Sequence, residues 1–127
     1  MKRILIVDDS PNWVRYHENA LRMLFSDNVM IYTADSAAEG VEKLMLSLDE
    51  PYDVILTDMQ MESDYLPLYA GEWFIKQIRF LKEYKNTKIV IISAASDIKT
   101  IADKYGVDYI PKYNCRNEGA YDKIGDL

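Results

Sequence analysis

The sequence is poor in the residues on which small extracellular domains and membrane proteins depend. Its 127 residues include a single cysteine, Cys115, which excludes an internal disulfide and a cysteine-rich zinc site. Glycine and proline number only 5 and 4, and no apolar run approaches the roughly 18 residues of a membrane span. The apolar stretch near the start, Ile4–Val7, is too short for a signal peptide. We therefore expect a cytoplasmic protein that does not insert into membranes.

Positive charge is also scarce. Fifteen lysines and arginines face 21 acidic residues, which gives a formal net charge of −6. Sequence-independent binding to nucleic acids needs a cationic surface, so the charge argues against a direct nucleic-acid partner. Apolar residues make up 49% of the chain, as in globular proteins, and the length fits one domain over residues 1–127.

Five short apolar runs, rich in β-branched residues, are predicted to be strands. Runs in which apolar and polar residues do not alternate are typical of parallel strands covered on both faces. The runs are Ile4–Val7, Val29–Tyr32, Val54–Leu56, Ile89–Ile92 and Val107–Ile110.

The segments between these runs carry apolar residues at helical spacing. Gly106 is predicted to end the fourth helix, and a fifth helix after Asn114 is expected to be short or frayed because glycines interrupt it. The other helices are predicted at Pro11–Phe25, Ser36–Leu48, about Gly71–Tyr84, and Ser96–Tyr105, with capping residues at Ser10, Ser36 and Ser96.

Alternating strands and helices predict an α/β fold with a five-stranded parallel sheet and helices on both faces. In such sheets the functional residues gather at the carboxyl ends of the strands. Five polar or charged residues follow the predicted strands and are therefore expected to meet at one edge: Asp8, Asp9, Asp58, Ser93 and Lys112. A single acidic residue at such a place is often only a turn or capping residue, but that explanation accounts poorly for the whole set.

Three neighbouring carboxylates repel one another unless a cation neutralises them. Because all the donors are hard oxygens, the set favours Mg²⁺, with Mn²⁺ as a substitute, over zinc. Asp58 is then available as a nucleophile for a phosphoryl group, while Lys112 and Ser93 supply a positive charge and a hydroxyl donor. The residues thus indicate phosphoryl transfer.

The same motifs, in this order, resemble those of response-regulator receiver domains. The resemblance extends over essentially the whole chain and implies a flavodoxin-like, doubly wound (βα)5 fold with strand order 2-1-3-4-5. The matching segments are ILIVDDS, VILTDMQM around Asp58, GEWFIKQIR after Gly71, IVIISA ending beyond Ser93, and YGVDYIPK ending at Lys112.

The resemblance assigns a role to each matching position. It implies that Asp58 is the phosphoacceptor, that Asp9 ligates Mg²⁺ directly, and that Asp8 acts mainly through a bound water. The metal shell would be completed by the backbone carbonyl of Gln60.

The remaining matching positions would respond to the phosphoryl group. Ser93 and Lys112 would contact its oxygens, and Ser93 and Tyr109 would move between two states. For Tyr109, packing as a half-buried strand residue is an equally good explanation.

Domains of this family take a phosphoryl group from a sensor histidine kinase or a phosphotransfer protein, and they promote only their own phosphorylation and dephosphorylation. We therefore expect a signalling switch rather than an enzyme. Because 127 residues leave no room for an output domain, the signal is expected to pass to an unidentified downstream protein or to a homodimer, unless the domain belongs to a longer chain.

The chain departs from the family pattern in two places near the predicted site. Gly71 lies later after Asp58 than is usual, and the intervening Met61–Ala70 is an apolar loop that we expect either to cover Asp58 or to contact a partner, unless it simply packs on its own helix. Tyr113 follows Lys112 where the family has proline, so this peptide is predicted to be trans unless its surroundings hold a strained cis bond.

Two other functions remain as alternatives. One is a receiver-like scaffold that binds partners without phosphorylation. The departures from the family pattern favour it, but the presence of all five polar and charged residues at the sheet edge argues against it. An aspartate-nucleophile phosphatase is disfavoured because Gln60 stands where such enzymes usually have a second aspartate. The only histidine, His17, lies on the apolar stripe of the first helix and is predicted to be a core or boundary residue.

Overall fold

The computed structural model describes residues 1–61 and 70–125, which contain a five-stranded parallel sheet. The strand order is 2-1-3-4-5, as the resemblance to receiver domains implies, and every neighbouring pair is parallel. The strands are β1 (Lys2–Val7), β2 (Val29–Ala34), β3 (Val54–Thr57), β4 (Lys88–Ser93) and β5 (Asp108–Pro111).

Helices follow the strands in strict alternation, and two predicted caps are present. The Ser10 side chain accepts a hydrogen bond from the Trp13 N–H, and the Ser36 side chain accepts one from the Glu39 N–H. The helices are α1 (Pro11–Leu24), α2 (Ala37–Leu46), α3 (Ala70–Phe80), α4 (Ile98–Tyr105) and α5 (Asp122–Gly125), with short 3₁₀ turns at Lys82–Tyr84 and Lys112–Asn114. The four-residue α5 agrees with the expectation of a short fifth helix.

The predicted boundaries of three helices are wrong, and the second helix ends at Leu46 rather than at Leu48. The third helix ends at Phe80 because the next residue, Leu81, adopts an extended backbone conformation before the 3₁₀ turn. The fourth begins at Ile98 with Asp97 as its N-cap, so Ser96 is not the capping residue. In the turn before it, the Ser93 hydroxyl accepts the Ala95 N–H. The predicted end of this helix is right, since Gly106 is left-handed at φ 65°.

The sheet separates two apolar cores, because adjacent residues of each strand point to opposite faces. On one face, Leu5 of β1 and Ile91 of β4 pack with α2, α3 and α4, including Phe74. On the other, Ile6 and its neighbours pack with α1 and with the C-terminal segment around Tyr121. Packing on both faces of the sheet holds the ends of the strands in position relative to one another. Within the ranges described, no helix has the length and apolar character needed to cross a bilayer.

The start of α3 lies directly against the backbone that carries Asp58. The Gly71 N–H donates to the Met59 carbonyl over 3.0 Å. A Cβ atom on Gly71 would overlap the Asp58 carbonyl oxygen and lie 2.7 Å from the Met59 Cα atom. Glycine is therefore required here for a close backbone approach, which helps to hold the end of β3 in place.

The close approach predicts that Gly71→Ala destabilises the fold by about 1–3 kcal/mol, since backbone has to move to admit the methyl group. Urea denaturation measures the effect. The matched control is Gly125→Ala, where a Cβ would lie 3.5 Å from the Leu24 side chain, an ordinary contact. Equal stability of the two variants would contradict the packing at Gly71.

Candidate functional site

Three carboxylates meet at the carboxyl edge of the sheet. Asp8 and Asp9 follow β1, and Asp58 follows the adjacent β3, whose register pairs Val7 with Thr57. One carboxylate oxygen from each acid lies within 4.8 Å of the others. Asp8 and Asp58 are only 2% and 5% exposed, whereas Asp9 is exposed. The structure thus brings together the acids that the sequence predicts.

Asp58 is held by hydrogen bonds to both oxygens. Its Oδ1 accepts the Met59 N–H over 2.7 Å, and its Oδ2 accepts from the Lys112 ammonium over 2.8 Å. The backbone of Asp58 is also fixed, because its N–H donates to the Val7 carbonyl and its carbonyl accepts from the Thr57 hydroxyl. The carboxylate is therefore oriented before any ligand arrives.

Lys112 is the cation of the site. It follows β5, and its side chain is 10% exposed. Its Nζ lies 2.8 Å from Asp58 Oδ2, 3.1 Å from Asp8 Oδ2 and 5.0 Å from the centre of the Trp13 ring. Burial alone lowers the pKa of this lysine, but the hydrogen bond to Asp58 and the negative charges of Asp58 and Asp8 outweigh it and raise the pKa. Lys112 therefore stays protonated and bridges the two buried acids.

Asp8 lies in an unfavourable environment for a negative charge. Burial is the main cause that raises its pKa, and the charge of Asp58 adds to it. The Ser10 N–H, 2.9 Å from Asp8 Oδ1, and the ammonium of Lys112 oppose this rise without cancelling it. The pKa of Asp8 is therefore above its ordinary value, and an additional cation nearby would stabilise its ionised form.

The donor set fits a hard divalent cation. All three acids offer carboxylate oxygens, which Mg²⁺ and Mn²⁺ prefer to the nitrogen and sulfur ligands typical of zinc. Asp8 Oδ2 is completely buried, and no group in the described ranges makes a well-formed hydrogen bond to it. A buried oxygen in that condition has free coordinating capacity.

The other predicted site residues lie around this cluster. Ser93 ends β4, where the sheet register pairs it with Pro111, and its hydroxyl accepts the Ala95 N–H over 3.1 Å. Tyr109 of β5 is half-buried, with the Lys123 ammonium 5.5 Å from its ring centre. Gln60, whose backbone carbonyl is the expected metal ligand, is exposed and lies two residues past Asp58.

Two residues near the site were not predicted to belong to it. Trp13 lies beside Lys112, and His17 lies with its Nε2 3.9 Å from Asp8 Oδ2. His17 is buried, as predicted. A signal was available, since Trp13 and His17 are four residues apart on one face of a helix that begins beside Asp9.

The surroundings of the site bear on two further expectations and contain the single cysteine. The Lys112–Tyr113 peptide is trans, in line with the absence of proline. Cys115 is buried, and burial is the main cause that raises the pKa of its thiol, which favours an unreactive side chain. The proposed cover or partner surface at Met61–Ala70 falls largely on residues 62–69, which lie outside the described residues.

Residues 4–118 match the family model of the response regulator receiver domain. Response regulator ArlR of Staphylococcus saprophyticus is 36% identical over 115 residues, which cover 88% of this chain and 46% of the relative. A protein of Halalkalibacterium halodurans named "Probable C4-dicarboxylate response regulator DctR" is 31% identical over 114 residues, which cover 87% of this chain and 44% of the relative. The chain thus spans less than half the length of these curated relatives.

Solved structures support the fold. The chemotaxis response regulator CheY4 of Vibrio cholerae matches with a TM-score of 0.70 at 24% identity, covering 88% of this chain and 87% of that one. The receiver domain of the histidine kinase CKI1 from Arabidopsis thaliana matches with a TM-score of 0.73 at 20% identity, covering 99% and 91%. Both share the overall fold with this chain.

The chain belongs to the response-regulator receiver domain family. It is a receiver domain of two-component signalling, and its relatives are response regulators and the receiver domains of sensor kinases. Such domains interact with histidine kinases or phosphotransfer proteins and with downstream effectors. These findings do not support the scaffold that works without phosphorylation, and no enzyme family is indicated.

The raised pKa of Asp8 predicts the effect of removing its charge. In EDTA, Asp8→Asn is expected to melt several degrees above the wild type, because the amide keeps the Ser10 contact without burying a charge beside Asp58. Added Mg²⁺ is expected to stabilise the wild type more than the variant. Thermal denaturation measures both effects.

Asp9→Asn is the matched control, and its melting temperature in EDTA is expected to change less because Asp9 is exposed. A lower melting temperature for Asp8→Asn than for the wild type in EDTA would contradict the electrostatic account.

Proposed function

We propose that Asp58 accepts a phosphoryl group from a phosphohistidine on a sensor histidine kinase or phosphotransfer protein, in a reaction that needs Mg²⁺. The observation that carries this proposal is the contact of Lys112 Nζ with Asp58 Oδ2 at 2.8 Å and with Asp8 Oδ2 at 3.1 Å, inside a cluster that also contains Asp9. One ammonium and three carboxylates leave the site short of positive charge, and a divalent cation would make up the deficit.

The transfer itself requires a positioned nucleophile and neutralised phosphoryl oxygens. A carboxylate oxygen of Asp58 attacks phosphorus in line, the new O–P bond forms as the P–N bond of the donor breaks, and the bonding pair leaves with the donor imidazole. The Met59 N–H steadies the carboxylate during the attack. Lys112 then pairs with an oxygen of the transferred group, which costs little movement because its ammonium already lies beside Asp58.

The metal-binding residues in this proposal are Asp9 and Asp58 as direct ligands, Asp8 through a water, and Gln60 through its backbone carbonyl. When bound, Mg²⁺ neutralises charge on the phosphoryl oxygens and on the acids. The hydrogen bond from the Ser10 N–H to Asp8 Oδ1 orients Asp8 toward the cluster. Mn²⁺ can replace Mg²⁺ at this site because it binds the same oxygen ligands.

Phosphorylation would act as a switch through the residues that follow β4. The Ser93 hydroxyl accepts the Ala95 N–H over 3.1 Å and keeps its own O–H to donate to a phosphoryl oxygen, so a movement of Ser93 toward Asp58 would also shift the turn leading into α4. Tyr109 on the neighbouring strand would change its side-chain position in response. The signal would then pass to a downstream protein or to a second copy of the chain, and residues 1–127 would act as one cytoplasmic receiver domain.

Incubation with Mg²⁺ and a small phosphodonor such as acetyl phosphate tests this function. Intact-mass measurement is expected to show one added phosphoryl group on the wild type and none on Asp58→Asn, because the amide lacks the nucleophilic oxygen. EDTA is expected to abolish the addition. Beryllium fluoride with Mg²⁺ should change the tryptophan fluorescence, since the Trp13 ring lies beside Lys112.

Asp53→Asn is a suitable control, because Asp53 accepts a hydrogen bond from the Arg3 backbone N–H near the start of β1, away from the site. This variant should be phosphorylated like the wild type. Equal labelling of wild type and Asp58→Asn, or labelling of neither, would sink the proposed function.

A further inference from the structure

Behind the acid cluster, two buried polar atoms face each other without a hydrogen bond. His17 Nε2 and Asp8 Oδ2 are 3.9 Å apart, and both side chains are 2% exposed. Asp8 Oδ2 has the Lys112 ammonium at 3.1 Å, whereas across residues 1–61 and 70–125 no group makes a hydrogen bond to His17 Nε2. A buried nitrogen without a partner is unfavourable, so the position of His17 Nε2 opposite Asp8 needs an explanation beyond packing.

His17 has a fixed position and one satisfied nitrogen. It lies on α1 between Trp13 and Leu21, on the face that packs against the sheet. Its Nδ1 is 2.7 Å from the hydroxyl oxygen of Tyr121, which comes from the C-terminal segment. Burial, with a contribution from the charge of Lys112, lowers the pKa of His17 to about 4. An imidazole carries at least one N–H hydrogen, and its position on Nδ1 or Nε2 decides what the ring offers to Asp8.

The neighbours of the ring decide which nitrogen carries that hydrogen. If the hydrogen were on Nδ1, the lone pair of Nε2 would face the carboxylate of Asp8, and the two would repel. With the hydrogen on Nε2, a partial positive charge faces Asp8 instead. Nδ1 then accepts from the Tyr121 hydroxyl, which stays protonated because burial raises its pKa. The contact with Asp8 therefore favours the Nε2–H tautomer.

We propose that His17 is a positioning residue of the metal site, whose Nε2–H orients the carboxylate of Asp8. The inference rests on the proposed function, because it concerns an acid that takes part in binding Mg²⁺. Asp8 Oδ2 is now drawn to Lys112 at 3.1 Å. A divalent cation held by the acids would supply part of the positive charge that Lys112 now supplies, and Asp8 Oδ2 would then be available to accept a hydrogen bond from Nε2. Partners behind metal-binding side chains commonly tune affinity in this way.

Three variants separate positioning from packing. His17→Leu fills the space but removes both nitrogens, whereas His17→Gln keeps a side-chain N–H at similar reach. Leu21→Ala is the matched control, because Leu21 is a fully buried residue one turn further along the same face of α1. Thermal denaturation verifies that each variant is folded.

The Mg²⁺ dissociation constant is measured by tryptophan fluorescence, and it is taken from the concentration dependence rather than from the size of the signal. We expect His17→Leu to bind Mg²⁺ about tenfold or more weakly than the wild type. His17→Gln should restore most of that affinity. Leu21→Ala should lower the melting temperature and leave the dissociation constant near that of the wild type.

The tautomer supplies a second readout on the unaltered protein. His17 is the only histidine in the chain, so long-range ¹H–¹⁵N spectra report on it without assignment. The proposal requires the Nε2–H tautomer both in EDTA and in Mg²⁺. An Nδ1–H tautomer would overturn it even if the variants did not fold.

The outcomes distinguish this inference from the proposed function. If the wild type fails to bind Mg²⁺ at millimolar concentrations, both are wrong. If the wild type binds Mg²⁺ and His17→Leu binds it equally well, only the role of His17 is wrong. The same holds if His17→Gln binds as weakly as His17→Leu, because a donated hydrogen bond would then be irrelevant.

Discussion

The ion pairs of Lys112 with Asp8 and Asp58 are the interaction on which the rest of the site depends. The two acids are nearly buried and lie close together, so each makes the charge of the other less favourable. One ammonium, delivered by the end of β5, offsets part of that repulsion and leaves the cluster net negative. The repulsion between the carboxylates favours binding of a cation. With a cation bound, the site can also bind a negatively charged phosphoryl group.

The sheet makes this arrangement possible. Parallel strands point all their carboxyl ends one way, and the order 2-1-3-4-5 places β1 and β3 side by side, so that Asp8 and Asp58 become neighbours. The two apolar cores hold the strands in register, and the close approach of Gly71 fixes the backbone at Asp58. Core packing thus supplies the free energy that keeps three acids together.

Much of this could be predicted from the sequence, because the features are local. The β-branched runs mark the strands, and the parallel topology places the acids at one edge, while the strand order that makes Asp8 and Asp58 neighbours comes from the family resemblance. The start of α4 could not be predicted, because Ser96 is a good capping residue by type but the helix begins after Asp97. The partner of His17 is even harder to predict from the sequence. Tyr121 is 104 residues away, and the contact exists only once α1 and the C-terminal segment pack on the same face.

Binding of one divalent ion among Asp8, Asp9 and Asp58 can be observed in crystals grown with Mn²⁺, because anomalous scattering locates the ion without any assumption about its ligands. We expect a single strong peak in contact with the carboxylate cluster, with Lys112 displaced from Asp8. A structure in which Mn²⁺ binds elsewhere or not at all, and Lys112 still bridges Asp8 and Asp58, would contradict this expectation.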